Sequence, residues 1–371
     1  MTRPVCPFPQ RRVCLIGCAG FIGSHLLERL LSREGVAVCG VDRDDRRITG
    51  RLGHPRFTFV KADIADPRVV LPLIDQCDVV INLAALCNPS LYNTVPVDVI
   101  ESNYAHPLEI VRACARRNKW LIHFSTCEVY GKTLSQTVAE EHDRGRVRSG
   151  GEFSEDRTPL ILGPVTAQRW SYAAAKQLLE RTIYAYGFQH GLKFTIVRPF
   201  NFIGPRMDFI PGVDGDGVPR VVACFMNSLM KNRPLQLVNG GKNRRTFTWI
   251  ADAVDAVVAM LEKPSRAQGE IFNIGHPRNE ISIAGLADLM AQVYRQTTGA
   301  AAPAASVMQD VPAEVFYGRG YEDTEYRVPD ISKARALLKW EPQTGLTDAV
   351  TMTVRGFYQE YKASLDLKEA S

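Results

Sequence analysis

No stretch of this 371-residue chain approaches the roughly 20 consecutive apolar residues that a bilayer-spanning helix needs, so no membrane partner is expected. No Cys or His pair has the spacing of a structural zinc site around a turn, so no metal is expected. Basic residues form no run. The 45 Lys and Arg against 40 Asp and Glu leave a dispersed net charge of +5, which argues against nucleic acid. That mild excess suits an anionic small substrate, and equally a mixed solvated surface. The first ten residues hold three prolines and no apolar core, unlike a secretory signal. No segment repeats, which argues against solenoids and propellers. Disulfides are not expected either. The nine cysteines are odd in number, and Cys14 and Cys39 sit inside apolar strand-like runs. Reduced thiols point to the cytoplasm.

What is present is an ordinary globular composition, 45% hydrophobic and 23% charged. Short apolar runs at 12–17, 36–41, 57–60, 79–85, 121–124 and 194–198 alternate with helical patterns, notably 21–31, 97–117 and 169–190. Such alternation predicts an α/β fold, a doubly wound parallel sheet of Rossmann type covered on both faces. After Pro199 the pattern loosens, with frequent Gly and Pro between 205 and 219 and a helix over 221–231. The expected organisation is a nucleotide-binding domain over 11–200, with contributions from about 245–275. A smaller C-terminal substrate-binding domain follows over 201–362. Residues 1–10 and 365–371 read as flexible tails, and 298–306 as a surface linker.

The first strand runs into Gly17-Cys18-Ala19-Gly20-Phe21-Ile22-Gly23 and then a helix. The three glycines allow a tight turn and a close approach of pyrophosphate to a helix N-terminus. The second strand ends in Asp42, whose carboxylate would take the adenosine ribose hydroxyls and repel a 2′-phosphate. NAD is therefore the expected cofactor, although Arg43 next door tempers the preference over NADP. Phe21, Ile22, Asp63, Ile64 and the strand end Leu83-Ala84-Ala85 complete the cofactor set, with Asp63 and Ile64 at the adenine edge.

Tyr172 and Lys176 stand four apart in a helical stretch, hence on one face. Ser125 and Thr126 end the fifth strand. A hydroxyl, a tyrosine and a lysine can move a proton from a sugar hydroxyl during its oxidation, with Thr126 holding the reacting oxygen. A tyrosine working as base near neutrality needs its pKa brought down by roughly three units, about 4 kcal/mol. Lys176 and a cationic nicotinamide ring are the expected sources.

Four segments carry a more specific likeness: HFSTCEVYGKT at 123–133, QRWSYAAAKQL at 168–178, FTIVRPFNFIGPRMDFIPG at 194–212 and YGRGYEDTEYR at 317–327. Through them, and over about 12–360, the chain resembles the UDP-apiose/UDP-xylose synthases. More distantly it is similar to the UDP-glucuronate decarboxylases, including the decarboxylase domain of the bacterial lipid A modification enzyme. The resemblance implies a homodimer, packed through helices near 97–117 and 169–190, that acts on UDP-glucuronic acid with NAD in a closed redox cycle. The sugar is oxidised at position 4, loses carbon dioxide and is reduced again. Direct reduction gives UDP-xylose; ring opening, carbon–carbon cleavage and re-closure first give UDP-apiose.

Cysteine at 127, where plain decarboxylases carry Ser or Thr, and a second at Cys87 imply a proton donor and acceptor for the rearrangement. A thiol near its ordinary pKa suits proton shuttling near neutrality better than a serine hydroxyl does. Glu128 is implied at the carboxylate-bearing part of the sugar, Arg327 near its reacting end with Asp323 as its partner, and Arg169 in the pocket, with Tyr92 and Tyr317 also in the substrate set. Asn201, Arg220 and Arg245 match positions that hold UDP. Two alternatives stay open: a decarboxylase giving only UDP-xylose or the 4-keto-pentose, and an NAD-sensing binding protein on the same fold. The polar segment 134–162 and Phe202, where the plant enzymes tend to have tryptophan, depart from the pattern.

Overall fold

The computed structural model describes residues 11–132, 152–215, 217–299, 307–317 and 326–369. Seven parallel strands form its largest sheet. They are β1 (Arg11–Ile16), β2 (Val36–Asp42), β3 (Phe57–Lys61), β4 (Val79–Asn82), β5 (Trp120–Phe124), β7 (Phe194–Pro199) and β12 (Glu270–Ile274), in the order β12-β7-β5-β4-β1-β2-β3. Their sequences are nearly continuous apolar runs because both faces are covered: all of β4 and β5 is buried. One face packs on α1 (Phe21–Leu31) and α7 (Ile250–Glu262). The other packs on α2 (Pro67–Asp75), α4 (His106–Arg116) and α5 (Ser171–His190). The doubly wound α/β fold expected from the sequence is present.

Local chemistry sets several boundaries. Asp66 caps α2 by accepting from the Arg68 amide at 3.0 Å, with Pro67 at its first position. Gly191 ends α5 in the left-handed region at φ 65°, a conformation that costs a side chain but not glycine. The expected helix over 97–117 begins as α3 (Pro96–Ile100), passes through a π turn at Glu101–Ala105 and continues as α4. Pro107 lacks the N–H that would close the regular ladder, and the wider turn absorbs the break.

The later chain adds α6 (Val221–Met230), α8 (Ile283–Thr298) and α9 (Leu346–Glu369), which share a second core around Phe225, Met226, Leu286 and Phe357. A four-stranded sheet orders β13 (Glu280–Ser282), β10 (Arg244–Thr246), β15 (Tyr326–Pro329) and β6 (Glu152–Phe153). Two pairs complete the fold: β8 (Phe202–Ile203) with β11 (Thr248–Trp249), and β9 (Leu235–Val238) with β14 (Met308–Val311). The α9 helix runs to Glu369, so the chain is helical over much of the stretch read from sequence as a tail. Of the expected linker, 300–306 lies outside the described residues.

A buried ion pair ties α5 to β7. Glu180 accepts from Arg198 Nε at 3.0 Å and Nη2 at 2.6 Å, with both side chains no more than 5% exposed. Arg198 also donates to the Tyr130 hydroxyl at 2.8 Å, and Tyr130 donates to Asn273 Oδ1 on β12 at 2.8 Å. Removing one partner strands a buried charge. Glu180→Ala is expected to lose about 3–5 kcal/mol of unfolding free energy, measured by chemical denaturation. A loss comparable to an exposed pair, under about 1 kcal/mol, would contradict this reading.

Candidate active site

The strand order reverses direction between β1 and β4, which opens a crevice at the carboxyl ends of the sheet. Gly17 stands there at φ +82°, and a Cβ on it would come 3.0 Å from the Ala84 backbone nitrogen. A Cβ on Gly23 would reach within 2.0 Å of the Gly17 carbonyl oxygen. Gly20 caps α1 without a side-chain hydrogen bond, leaving first-turn N–H groups open to an anion. Asp42 at the end of β2 accepts from the Ala19 amide at 2.9 Å and the Arg43 amide at 2.7 Å. Arg43 leans toward Asp63, 3.6 Å away. The bare-backbone cradle, the helix terminus and the acid fit a dinucleotide with a free ribose 2′-hydroxyl. Asp63 is exposed and Ile64 half-buried at the expected adenine edge.

Next to this loop lies a cavity of about 660 Å³. Strand ends and α5 supply its floor: Leu83, Ala85, Cys87, Thr126, Cys127, Glu128, Tyr172 and Lys176. Its far wall carries Asn201, Arg220, Arg245 and Arg327, and Phe21 and Ile22 reach in from the glycine loop. The structure thus gathers, from a span of about 300 residues, most of the positions singled out in the sequence. Ala84 holds the turn through its backbone, with its amide donating to Asn82 Oδ1 at 3.2 Å. Asp323 lies outside the described residues, as does the Tyr317 side chain.

Tyr172 is buried and stacks on Tyr92, ring centroids 5.1 Å apart and 12° from parallel. Burial pushes its phenol well above the ordinary value; Cys87 and Glu128 push the same way, and a hydrogen bond with Thr126 pulls back. The expectation that Lys176 brings this phenol down is therefore not met within the chain. Lys176 instead donates to the Phe124 carbonyl at 3.0 Å, and burial lowers its own ammonium to about 8.

Glu128 lies between two arginines. Arg169, 2% exposed, donates to Oε2 at 2.8 Å, and Arg327 Nη1 stands 3.5 Å from Oε1. Arg169 also lies over the Tyr92 ring at 5.5 Å. Thr126 caps the following turn by accepting from the Glu128 amide at 3.1 Å. Cys127 is buried beside this group. Burial pushes its thiol up, Arg327 pulls it down and Glu128 pushes it up again, for a net rise. The Cys127 thiol therefore lies above the ordinary value expected from the sequence, chiefly because it is buried. Cys87 is exposed at the cavity wall.

On the far wall Asn201 adopts φ 39° and donates to the Thr246 carbonyl at 2.9 Å. Arg245 on β10 is buried. Residues that sequence reading passed over also line the cavity: Ser90, Cys224, Gln236, Val238, Asn243 and Phe316. The pairing of β9 with β14, across some seventy residues, places Gln236 and Val238 there. No short-range signal marks that pairing. Among the described residues no group of three or more His, Cys, Asp or Glu side chains could hold a metal.

Glycine cradle, terminal acid and Tyr–Lys pair define a dinucleotide-dependent α/β enzyme. The chain belongs to the NAD dependent epimerase/dehydratase family, which matches residues 13–275, and its cofactor is NAD. It is 46% identical over 367 residues to a UDP-D-apiose/UDP-D-xylose synthase of Oryza sativa subsp. japonica, covering 97% of this chain and 92% of that one. It is 45% identical to UDP-D-apiose/UDP-D-xylose synthase 1 of Arabidopsis thaliana, covering 96% and 93%. Among solved structures, the PbgP3 protein from Burkholderia pseudomallei superposes with a TM-score of 0.80 at 31% identity, covering 96% and 97%.

Lys176 generates a pH-dependent stability. Its folded-state pKa, about 8, lies below the ordinary 10.5 of a lysine in an unfolded chain. The burial penalty is therefore fully present below about pH 8, and stability rises with pH between the two values. Lys176→Met is expected to exceed the wild type in unfolding free energy at pH 7 by on the order of 3 kcal/mol, and the gap should close toward pH 10.5. Denaturant titrations across that range check it. A gap that stays constant would contradict it.

Proposed function

We propose that this chain converts UDP-glucuronic acid to UDP-apiose, with UDP-xylose as co-product, in a redox cycle that returns its NAD unchanged. The observation that carries the reading is two cysteines, Cys87 and Cys127, in one cavity with Tyr172, Thr126 and a cluster of arginines. Identity of 46% over 97% of the chain to a synthase named for those two products supports it. In organisation, 11–200 with about 245–275 serves the cofactor and 201–362 mainly the UDP-sugar.

NAD, when bound, supplies reversible two-electron oxidation at position 4 of the sugar. Gly17, Gly20, Phe21, Ile22 and Gly23 would cradle its pyrophosphate, Asp42 would take a ribose, Asp63 and Ile64 would meet the adenine, and Leu83, Ala84 and Ala85 would complete its site. Thr126 holds the 4-oxygen and Tyr172 takes its proton. Tyr172 would act as base, and the positive charge its buried phenol needs nearby is one that the nicotinamide ring of NAD would supply when bound. The resulting β-keto acid loses carbon dioxide into its own ketone as electron sink. Arg169 and Arg327, bridged by Glu128, orient the carboxylate. Asn201, Arg220 and Arg245 hold the UDP, Tyr92 packs under the sugar, and Tyr317 and Asp323 belong to the same substrate set. For the branched product, Cys127 enters as a protonated donor and Cys87 accepts from the other side, so carbon–carbon cleavage and re-closure proceed without net proton change.

The same reading makes the protein a cytoplasmic homodimer. No described helix is long and apolar enough to cross a membrane. On α3 and α5 large apolar side chains face solvent: Val97, Ile100, Leu178, Tyr184 and, at 86% exposed, Phe188. Large apolar side chains exposed on two adjacent helices support a contact surface there. Phe188→Glu with Leu178→Glu is expected to shift the protein from dimer to monomer on size-exclusion chromatography with light scattering. An unchanged dimer would remove this surface from the interface.

Products analysed by NMR after incubation with UDP-glucuronic acid and sub-stoichiometric NAD test the reaction. Cys127→Ser and Cys87→Ala are expected to keep carbon dioxide release and lose the branched pentose. Tyr172→Phe is expected to lose about 10²- to 10⁴-fold in the first oxidation while binding UDP nearly as well. Only unbranched products from the wild type would leave a decarboxylase. Both cysteine variants keeping the wild-type product ratio would make these thiols packing residues.

A further inference from the structure

Arg220 caps α6 on the cavity wall, and its orientation is set by Asp208, which does not line the cavity, and by Met207, which does. Asp208 Oδ2 accepts from the Arg220 backbone amide at 2.9 Å and from its Nε at 3.0 Å. A terminal nitrogen, Nη2, donates to the Met207 carbonyl. With Nε and Nη2 engaged by neighbouring residues, the guanidinium plane is fixed. Its face lies 5.9 Å from the ring centre of Phe21 in the glycine loop. Nη1 is left with no protein acceptor among the described residues and remains for an anion.

Asp208 is anchored in turn. Its Oδ1 accepts from the Phe209 amide at 3.1 Å. Its carbonyl oxygen receives Arg47 Nη2 at 3.3 Å and the Tyr361 hydroxyl at 3.4 Å. Tyr361, on α9, also reaches Asp214 Oδ2 at 2.8 Å. Arg47 belongs to the turn that follows Asp42, on the cofactor side. The Asp208 side chain is 12% exposed against 40% for Arg220, and Asp208 does not line the cavity.

We infer that Asp208 is a positioning residue for a nucleoside diphosphate: it sets the Arg220 guanidinium in its binding orientation before the ligand arrives. This rests on the proposed function in taking Arg220 as a contact of the UDP group. A free arginine would lose several rotatable bonds of entropy on meeting a diphosphate, whereas one already held by a carboxylate loses little. The carboxylate takes the Nε side and leaves Nη1 open, so it directs the charge without filling the binding edge. Its effect falls on affinity. The chemistry at the sugar belongs to Tyr172, Thr126 and the cysteines on other elements, so the turnover step is untouched.

The test uses UDP as probe, with the NAD-loaded full chain, in calorimetry, followed by steady-state kinetics with UDP-glucuronic acid. Asp208→Asn keeps the side chain's shape and the Oδ1 contact but removes the charge. It is expected to weaken UDP binding and raise KM by about tenfold or more, with kcat within about twofold of wild type. NAD content should not move, which a general loss of the fold would not allow. The double variant with Arg220→Ala is expected to bind UDP no more weakly than Arg220→Ala alone, because the carboxylate acts only through that arginine. Asp208→Asn binding UDP as the wild type does, or losses that add in the double variant, would overturn the inference. Wild-type protein that binds UDP but leaves UDP-glucuronic acid unchanged would overturn the proposed reaction and leave this inference standing. Wild-type protein that does not bind UDP would overturn both.

Discussion

The architecture turns on one close approach, Gly17 against the backbone of Ala84. These residues follow β1 and β4, the neighbouring strands from which the chain winds in opposite directions. A Cβ at position 17 would meet the Ala84 nitrogen at 3.0 Å at a strained φ of +82°, so a side chain there would have to push the two strand ends apart by a few tenths of an ångström. The crevice that results is shared. Its near side is the glycine cradle and the α1 terminus, and its far side is the 660 Å³ cavity under Tyr172 and Glu128. Phe21 belongs to both, reaching the cavity and lying under Arg220. Cofactor and substrate groups are thereby brought to one place by a constraint that is purely steric.

Within that place the energetics are those of charges in a low-dielectric enclosure. Tyr172, Lys176, Cys127 and Tyr92 are all buried, and each has its pKa moved first by burial in the direction that removes charge. Only the arginines stay charged whatever surrounds them. Arg169 and Arg327 stand on the two oxygens of Glu128, the one carboxylate that lines the cavity among the described residues. Neutral acids and bases among fixed cations are a suitable environment for an anionic substrate. Its charges meet permanent partners, and its proton transfers meet groups whose protonation responds to what is bound.

Much of this could be read in the sequence because it depends on near neighbours along the chain. The glycine loop, Asp42 at a strand end and the four-residue step from Tyr172 to Lys176 are local patterns, and the sheet follows from apolar runs of a few residues. Cys87 and Cys127 fell in one cavity because both follow adjacent strands, β4 and β5. The missed features are those with no local period. Arg220 was singled out, but its pairing with Asp208, twelve residues back in a stretch of turns, was not. Gln236 reaches the cavity only through a pairing with residues near 309. The protonation states were misjudged for the same reason: desolvation depends on the whole enclosure, not on the residue four positions away. The π turn before Pro107 was hidden by an apolar periodicity that a one-residue bulge scarcely disturbs.

The position of β12 at the edge of the large sheet bears on how the protein is made. Six strands, β1 to β5 and β7, are complete once residue 199 has been synthesised, but the edge of β7 stays bare until Glu270–Ile274 arrives. All of Phe194–Pro199 but its last residue is buried in the finished protein, a strand with unpaired backbone groups while the next seventy residues emerge from the ribosome. At about 5–20 residues per second, that exposure lasts on the order of several seconds. Such an edge is the kind that invites pairing with a foreign strand. Yield in a heterologous host should therefore respond to the speed of translation and to chaperones that shield nascent sheets, quite apart from the stability of the folded enzyme.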